Sequence, residues 1–173
     1  MLCTGMELLY FGLAGLVLII AYPWLKYHAL GDLDILLTYS VLPIMGTSYV
    51  VLGYIDLETA WLMLPIGLIT VGILHINNSR DIEQDRRANI HTLAMLMGKR
   101  LSAWVYVAEM LLPFVIIVIA VICGAMPWWS MAVAVAHKPA IDNCRAAMKL
   151  PSEGMKAVAG VDEKTAQLQL VFS

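Results

Sequence analysis

Charge is what this sequence has least of. Its 173 residues hold 11 Lys and Arg and 13 Asp and Glu, so 14% are charged and the net charge is −2. Soluble domains carry about 25% charged residues, and nothing here supplies the basic surface of a nucleic-acid-binding protein. Cysteine is also sparse. Cys3, Cys123 and Cys144 show neither C-x-x-C nor histidine-interleaved spacing, which argues against a zinc site or a disulfide framework and leaves them as small apolar fillers. Met1 to Met6 lack the basic region of a secretory signal, and no small-residue cleavage pattern precedes Tyr22-Pro23. The first apolar run therefore reads as a retained span. There is no internal repeat and no low-complexity tract.

What is present instead is hydrophobicity: 61% of residues are apolar and mean hydropathy is +0.79. The composition predicts an all-α, multispan transmembrane helical bundle forming a single integral membrane domain over residues 1–173. Apolar runs cover about Leu8–Leu25, Ile35–Tyr54, Ala60–Ile76, Ala103–Cys123 and, more weakly, Pro127–Ala136. A span needs about 20 residues to cross about 30 Å of hydrocarbon. We therefore expect about five spans, the fifth extending past His137-Lys138-Pro139 as a tilted or interfacial helix. A truncated sixth starts at about Thr165. Pro43, Pro65 and Pro113 fall inside runs and mark kinks.

Lys and Arg accumulate in cytoplasmic loops. They lie at Lys26, at Arg80, Arg86, Arg87, Lys99 and Arg100, and from Lys138 through Arg145, Lys149 and Lys156 to Lys164, while the loops around Asp56-Glu58 and Gly124-Pro127 have none. Five crossings put all three basic regions on one side, with the N-terminus outside. The cytoplasmic face then carries the densest polar stretch in the chain, Asn77 to Arg87.

Within it Asn77, Asp81 and Asp85 recur at i, i+4 and i+8, so a helix continuing past Ile76 stacks them on one face. Asp81 and Asp85 would stand about 6 Å apart along the axis. Two such carboxylates can hold Mg²⁺, a hard cation often bound through one or two carboxylates plus substrate phosphates. Asn78 adds a neutral oxygen, and Arg80, Arg86 and Arg87 offer donors to phosphate oxygens. A solvated juxtamembrane helix, with Glu83 paired to Arg86 or Arg87, is the plainer reading of the same residues. His28, His75, His91 and His137 read as exposed interfacial histidines. Glu109, the one acid well inside an apolar run, fits pairing or snorkelling as well as ion transport.

The segment Asn77-Asn78-Ser79-Arg80-Asp81-Ile82-Glu83-Gln84-Asp85-Arg86-Arg87-Ala88, followed by Thr92-Leu93-Ala94 and Gly98-Lys99-Arg100, resembles the second aspartate-rich motif of UbiA-type membrane prenyltransferases. It is most similar to the branch that prenylates 1,4-dihydroxy-2-naphthoate in menaquinone synthesis. Upstream, Tyr22-Pro23-Trp24-Leu25-Lys26-Tyr27 with Leu30-Gly31-Asp32 is similar to a short loop of that branch, and Gly46-Thr47-Ser48-Tyr49 to its following helix. The resemblance implies transfer of a polyprenyl group from its diphosphate to the aromatic acceptor, with loss of CO₂ and pyrophosphate. It implies Mg²⁺ on Asp81 and Asp85, with diphosphate contacts from Asn77, Asn78, Arg80 and Lys26, and Tyr27 and Tyr49 facing the cation or the acceptor. It also implies a bacterial cytoplasmic membrane with the site on the cytoplasmic face.

Two departures stand out. Asn89-Ile90-His91 replaces a family Gly-Lys-Arg, removing two positive charges, part of which a protonated His91 would restore. A first aspartate-rich motif is absent, and Asp32 and Asp34, two residues apart, are poor substitutes. Against a nine-helix family fold the chain reads as a central and C-terminal part, without the first three helices and most of the last. The alternatives are a non-catalytic membrane subunit retaining half of a Mg–diphosphate site, or a transferase of the same type with another aromatic acceptor.

Overall fold

One helix, α4 (Ala60–Arg80), organises the bundle. A computed structural model describes residues 5–173 of the chain, and Cys3 lies outside them. Around α4 lie α1 (Glu7–Tyr27), α2 (Gly31–Leu36), α3 (Leu42–Leu52), α5 (Ile82–Arg87) and α6 (Leu93–Ile122). They are followed by α7 (His137–Ala147), α8 (Leu150–Glu153) and α9 (Val161–Phe172). The all-helical expectation holds, with no strand among the described residues.

Four segments are long and apolar enough to span a bilayer: Glu7–Tyr27, Gly31–Leu52, Leu57–Arg80 and Leu93–Ile122. The second is one path made of three pieces, because Leu37–Val41 widens into a π turn between α2 and α3. Pro43 explains the widening. It has no N–H to donate, and its ring clashes with the carbonyl four residues back, at Tyr39, so the helix opens there. α3 ends at Gly53, whose φ of 80° lets its N–H reach the Tyr49 carbonyl at 2.9 Å. In α6, Gly98 takes φ 73° and ψ 166°, a glycine conformation that breaks the first turns from the long apolar part.

The fifth run extends past His137-Lys138-Pro139 as expected, but in two parts. Trp128–Ala136 is a 3₁₀ helix that passes directly into α7. Pro139 is the cause, since an α-helix running through it would drive its ring into the Val135 carbonyl, whereas the first turn of a new helix tolerates it. Nine 3₁₀ residues rise about 18 Å and eleven α residues about 16 Å, so the pair recrosses the bundle along α6. Phe114 packs edge-on to His137 at 5.4 Å. Lys138 accordingly sits in the first turn of α7 rather than in a loop. The last run also begins four residues earlier than expected, at Val161, and continues to Phe172. α9 then runs back along α4 and α6. Tyr106 and Thr165 hydroxyls meet at 2.6 Å, and Gln169 donates to Thr70 at 2.7 Å.

α1 stands at the edge of the bundle and buries no residue. Gly12 and Gly15 do not make the tight helix contact that their size permits. A side chain at Gly12 would meet nothing within 4 Å, and both glycines line an apolar groove of about 650 Å³ between α1 and α3. The close approaches lie on α4 instead. A Cβ at Gly67 would come within 2.8 Å of Ser40 Oγ and 3.0 Å of Ser40 Cβ, and Ser40 itself is fixed by a 2.6 Å bond to the Met63 carbonyl. Gly67→Ala should therefore destabilise the protein by about 1–3 kcal/mol, the usual cost of overpacking. Thermal unfolding in detergent should show the lowered midpoint, and Gly12→Ala should leave it unchanged.

Candidate functional site

The end of the bundle where α1 and α4 leave the apolar zone gathers the polar residues singled out in the sequence. α4 stops at Arg80, Asp81 takes φ −95° and ψ 10°, and α5 restarts at Ile82. The continuous helical face expected for Asn77, Asp81 and Asp85 is thus bent at its middle residue. The spacing survives the bend: Asp81 N–H donates to the Asn77 carbonyl at 3.1 Å, and Asp85 N–H to the Asp81 carbonyl at 2.8 Å. The three side chains therefore stay on successive turns.

Their surroundings differ. Arg80 holds Asp81 through two bonds, Nε to Oδ1 at 2.9 Å and Nη2 to Oδ2 at 3.0 Å, a bidentate geometry. Its Nη2 also donates to Asn77 Oδ1, and its Nη1 reaches Asp162 at the start of α9 at 2.9 Å. Arg80 is thereby a clamp joining α4 to α9, with its donors engaged within the protein. Asn78 is buried. Glu83 pairs with Arg86 at 3.3 Å and with Lys99 at 3.4 Å, as the plainer reading of the stretch expected for Arg86.

Asp85 stands apart from these pairs. Among the described residues no ion pair or side-chain hydrogen bond engages its carboxylate, and the nearby charges are Lys26, in the last turn of α1, and Asp81. Burial pushes its carboxyl above the usual carboxylate range and Asp81 adds to the rise, while Lys26 opposes both. The result is a carboxyl group without an ion pair, near a lysine with no ion-pair partner among the described residues. Tyr27 follows Lys26 and is exposed. Tyr49 does not join them. It packs on Phe11 at 6.0 Å, at the opposite end of α1, so it is not placed to meet a group held by Asp85. His91 is exposed in the loop before α6, whose first turn is capped by the Thr92 hydroxyl accepting from Met95 N–H at 3.3 Å.

A second polar centre escaped the sequence reading. Asp32, His75 and Glu109, from α2, α4 and α6, converge inside the bundle. His75 Nδ1 lies 2.7 Å from Asp32 Oδ2 and 4.0 Å from Glu109 Oε1. His75 is fully buried rather than an ordinary interfacial histidine, and Glu109 faces the interior rather than the lipid. The usable signal was depth. His75 lies five residues inside the Arg80 boundary, and Asp32 lies just inside the loop that follows Lys26.

Because Asp85 is held above the ordinary aspartate pKa, folding disfavours its ionised form. The stabilisation this group gives is present at pH below the ordinary aspartate value and is lost as pH rises through its own folded pKa. In chelator-treated protein, carboxyl-carbon NMR of Asp85 should show a midpoint above that of a model aspartate. Lys26→Ala should move it higher still, because the opposing charge is removed. An unchanged midpoint in the variant would separate Lys26 from the site.

The model of the UbiA prenyltransferase family matches residues 1–141. A protein described as UbiA prenyltransferase domain-containing protein 1 from Danio rerio is 33% identical over 172 residues, covering 96% of this chain and 48% of the relative. Proteins of the same description from Rattus norvegicus and Homo sapiens are 42% identical over 115 residues and 39% over 112. They cover 66% and 64% of this chain and 34% and 33% of the relatives. The chain spans about half the length or less of these curated relatives. No solved structure matches it. A family model matching over most of the chain, α1 through the start of α7, makes this integral membrane protein a member of the UbiA prenyltransferase family.

Proposed function

We propose that the Asp81–Asp85 end of the bundle takes part in transferring a polyprenyl group from its diphosphate to an aromatic acceptor. The observation that carries this reading is the meeting of Asp85, Asp81 and Lys26 where two spans leave the apolar bundle. Two carboxylates and an amide oxygen form a hard oxygen donor set, the kind Mg²⁺ prefers, and the unengaged Asp85 carboxylate leaves room for such an ion. When bound, Mg²⁺ supplies positive charge that stabilises the departing pyrophosphate.

This chain's own residues would do the rest. Asp81 and Asp85 hold the ion, and Asn77 and Asn78 border it with neutral amides. Lys26 donates to diphosphate oxygens, where charge grows as the allylic C–O bond breaks and its electrons leave with pyrophosphate. Arg80 keeps Asp81 oriented, and a contact from Arg80 to diphosphate would need one of its present partners to be exchanged. The apolar groove between α1 and α3 suits an isoprenoid chain. The ring carbon then attacks and loses either a proton or, where it bears a carboxylate, CO₂.

For the acceptor, dihydroxynaphthoate remains the specific reading, supported by the residues around Asn77–Arg100 and Lys26 alone. The relatives named above are animal proteins, so they lend no support to a bacterial membrane, and we propose only that the site faces the cytoplasm. A non-catalytic subunit is the second reading, favoured by one observation: Arg80 already occupies both oxygens of Asp81.

In full-length protein containing this segment, Asp81→Ala should lower Mg²⁺-dependent prenyl transfer at least about 100-fold, or about 2.7 kcal/mol of transition-state stabilisation. Assay with radiolabelled prenyl diphosphate and a panel of hydroxylated aromatic acceptors checks both the loss and the acceptor. Wild-type turnover by the variant would favour the non-catalytic reading.

A further inference from the structure

The centre formed by Asp32, His75 and Glu109 has no part in the reaction proposed above. Each residue offers one ligand atom, and all three atoms lie within 4.8 Å of one another. His75 is 0% exposed, and Asp32 and Glu109 are each 7% exposed. They come from three different helices, with His75 six residues, or about 9 Å along α4, deeper than Asp81. Three groups of this kind do not meet inside an apolar bundle by drift, because each costs several kcal/mol to desolvate unless it is compensated.

The surrounding bonds orient the imidazole. Its Nε2 faces the Ser102 carbonyl at 3.2 Å and the Ser102 hydroxyl at 2.9 Å. Nδ1 faces the two acids and donates to Asp32 Oδ2; with Nε2–H on the Ser102 carbonyl, release of the Nδ1 proton would turn its lone pair to a metal, the arrangement that backbone carbonyls give to metal-ligating histidines. Ser79 donates to the His75 carbonyl at 2.7 Å and bonds the Ser102 hydroxyl, bracing the far side of the ring. On the near side, Asp32 Oδ1 and Glu109 Oε2 are buried without a hydrogen-bond partner. A ring nitrogen and two carboxylates thus converge on one point with acceptor capacity unused.

Charge decides what belongs there. With the protons displaced, as metal binding requires, a neutral imidazole and two ionised carboxylates would total −2, which one divalent cation cancels. We infer that Asp32, His75 and Glu109 form a buried site for a divalent transition-metal ion of the Zn²⁺ or Mn²⁺ type, separate from the aspartate-rich end of the bundle. The imidazole ligand selects this class over Mg²⁺ or Ca²⁺, which prefer oxygen alone. Ligands about 2.1 Å from a metal stand about 3 Å or more from each other. The 2.7 Å Asp32–His75 contact therefore needs only a small rotation of the Asp32 carboxylate to admit the ion. The ion would fasten α2, α4 and α6 at one depth, and so hold the α1–α2 loop, which follows Lys26, against α4.

The test is metal retention by the purified 173-residue protein in detergent. After incubation with Zn²⁺ or Mn²⁺ in separate samples and desalting, mass spectrometric metal analysis should find about one equivalent per chain. Asp81→Ala/Asp85→Ala protein should keep that equivalent. Asp32→Asn and Glu109→Gln, which preserve shape, should retain metal at least about tenfold more weakly. Absence of retained metal in the unaltered protein would overturn the proposal, as would full retention in both amide variants or loss only in the Asp81/Asp85 variant. If the amide variants fail to fold, X-ray absorption on the zinc-loaded unaltered protein still decides. One imidazole nitrogen among oxygen ligands supports the site, and a shell without imidazole contradicts it.

Discussion

Every polar group inside an apolar bundle has to find its partner within the protein, because lipid offers none. α4 is where this chain meets that demand. Ten of its residues are buried, and they include the glycines that admit neighbouring backbones and the His75, Asn78 and Ser79 side chains that would be costly without company. Ser40 bonding the Met63 carbonyl, Gln169 reaching Thr70, and Arg80 joining Asp81 to Asp162 are successive answers to the same constraint along one helix.

The constraint also shapes the two polar centres differently. At the mouth of the bundle, Asp85 keeps some access to water and is balanced by Lys26 and opposed by Asp81, so its charge remains available to a ligand. Deeper, Asp32 and Glu109 are enclosed, and their charge has to be cancelled on the spot. The two centres are thus joined through α4, which carries His75 and ends at Asp81, six residues or about 9 Å farther along.

Much of the fold was legible in the amino-acid order. The first four apolar runs became the four spanning segments, because span length and composition are set by the bilayer and not by tertiary detail. The fifth extends past Pro139 as expected, but hydropathy does not register that it changes from a 3₁₀ to an α-helix there. The acidic end of α4 was legible as a motif, for i, i+4 spacing is a local property that survives the bend at Asp81. Arg80's engagement with Asp162 was not, because 82 residues separate them. Likewise Asp32, His75 and Glu109 are scattered over three runs and carry no shared spacing. The packing of Tyr49 on Phe11 is equally invisible, because sequence adjacency does not reveal its depth along α1.

The central claim, that the α4–α5 junction and the end of α1 together hold a metal–diphosphate group, is tested most directly by seeing that group bound. Full-length protein in nanodiscs, with Mn²⁺ in place of Mg²⁺ and a non-hydrolysable prenyl diphosphate analogue, suits cryo-electron microscopy. The account predicts metal density bonded to Asp81 and Asp85, with the Lys26 ammonium on the diphosphate and the prenyl chain entering the apolar bundle. Diphosphate bound away from this junction, with Asp81 still held by both nitrogens of Arg80, would contradict it.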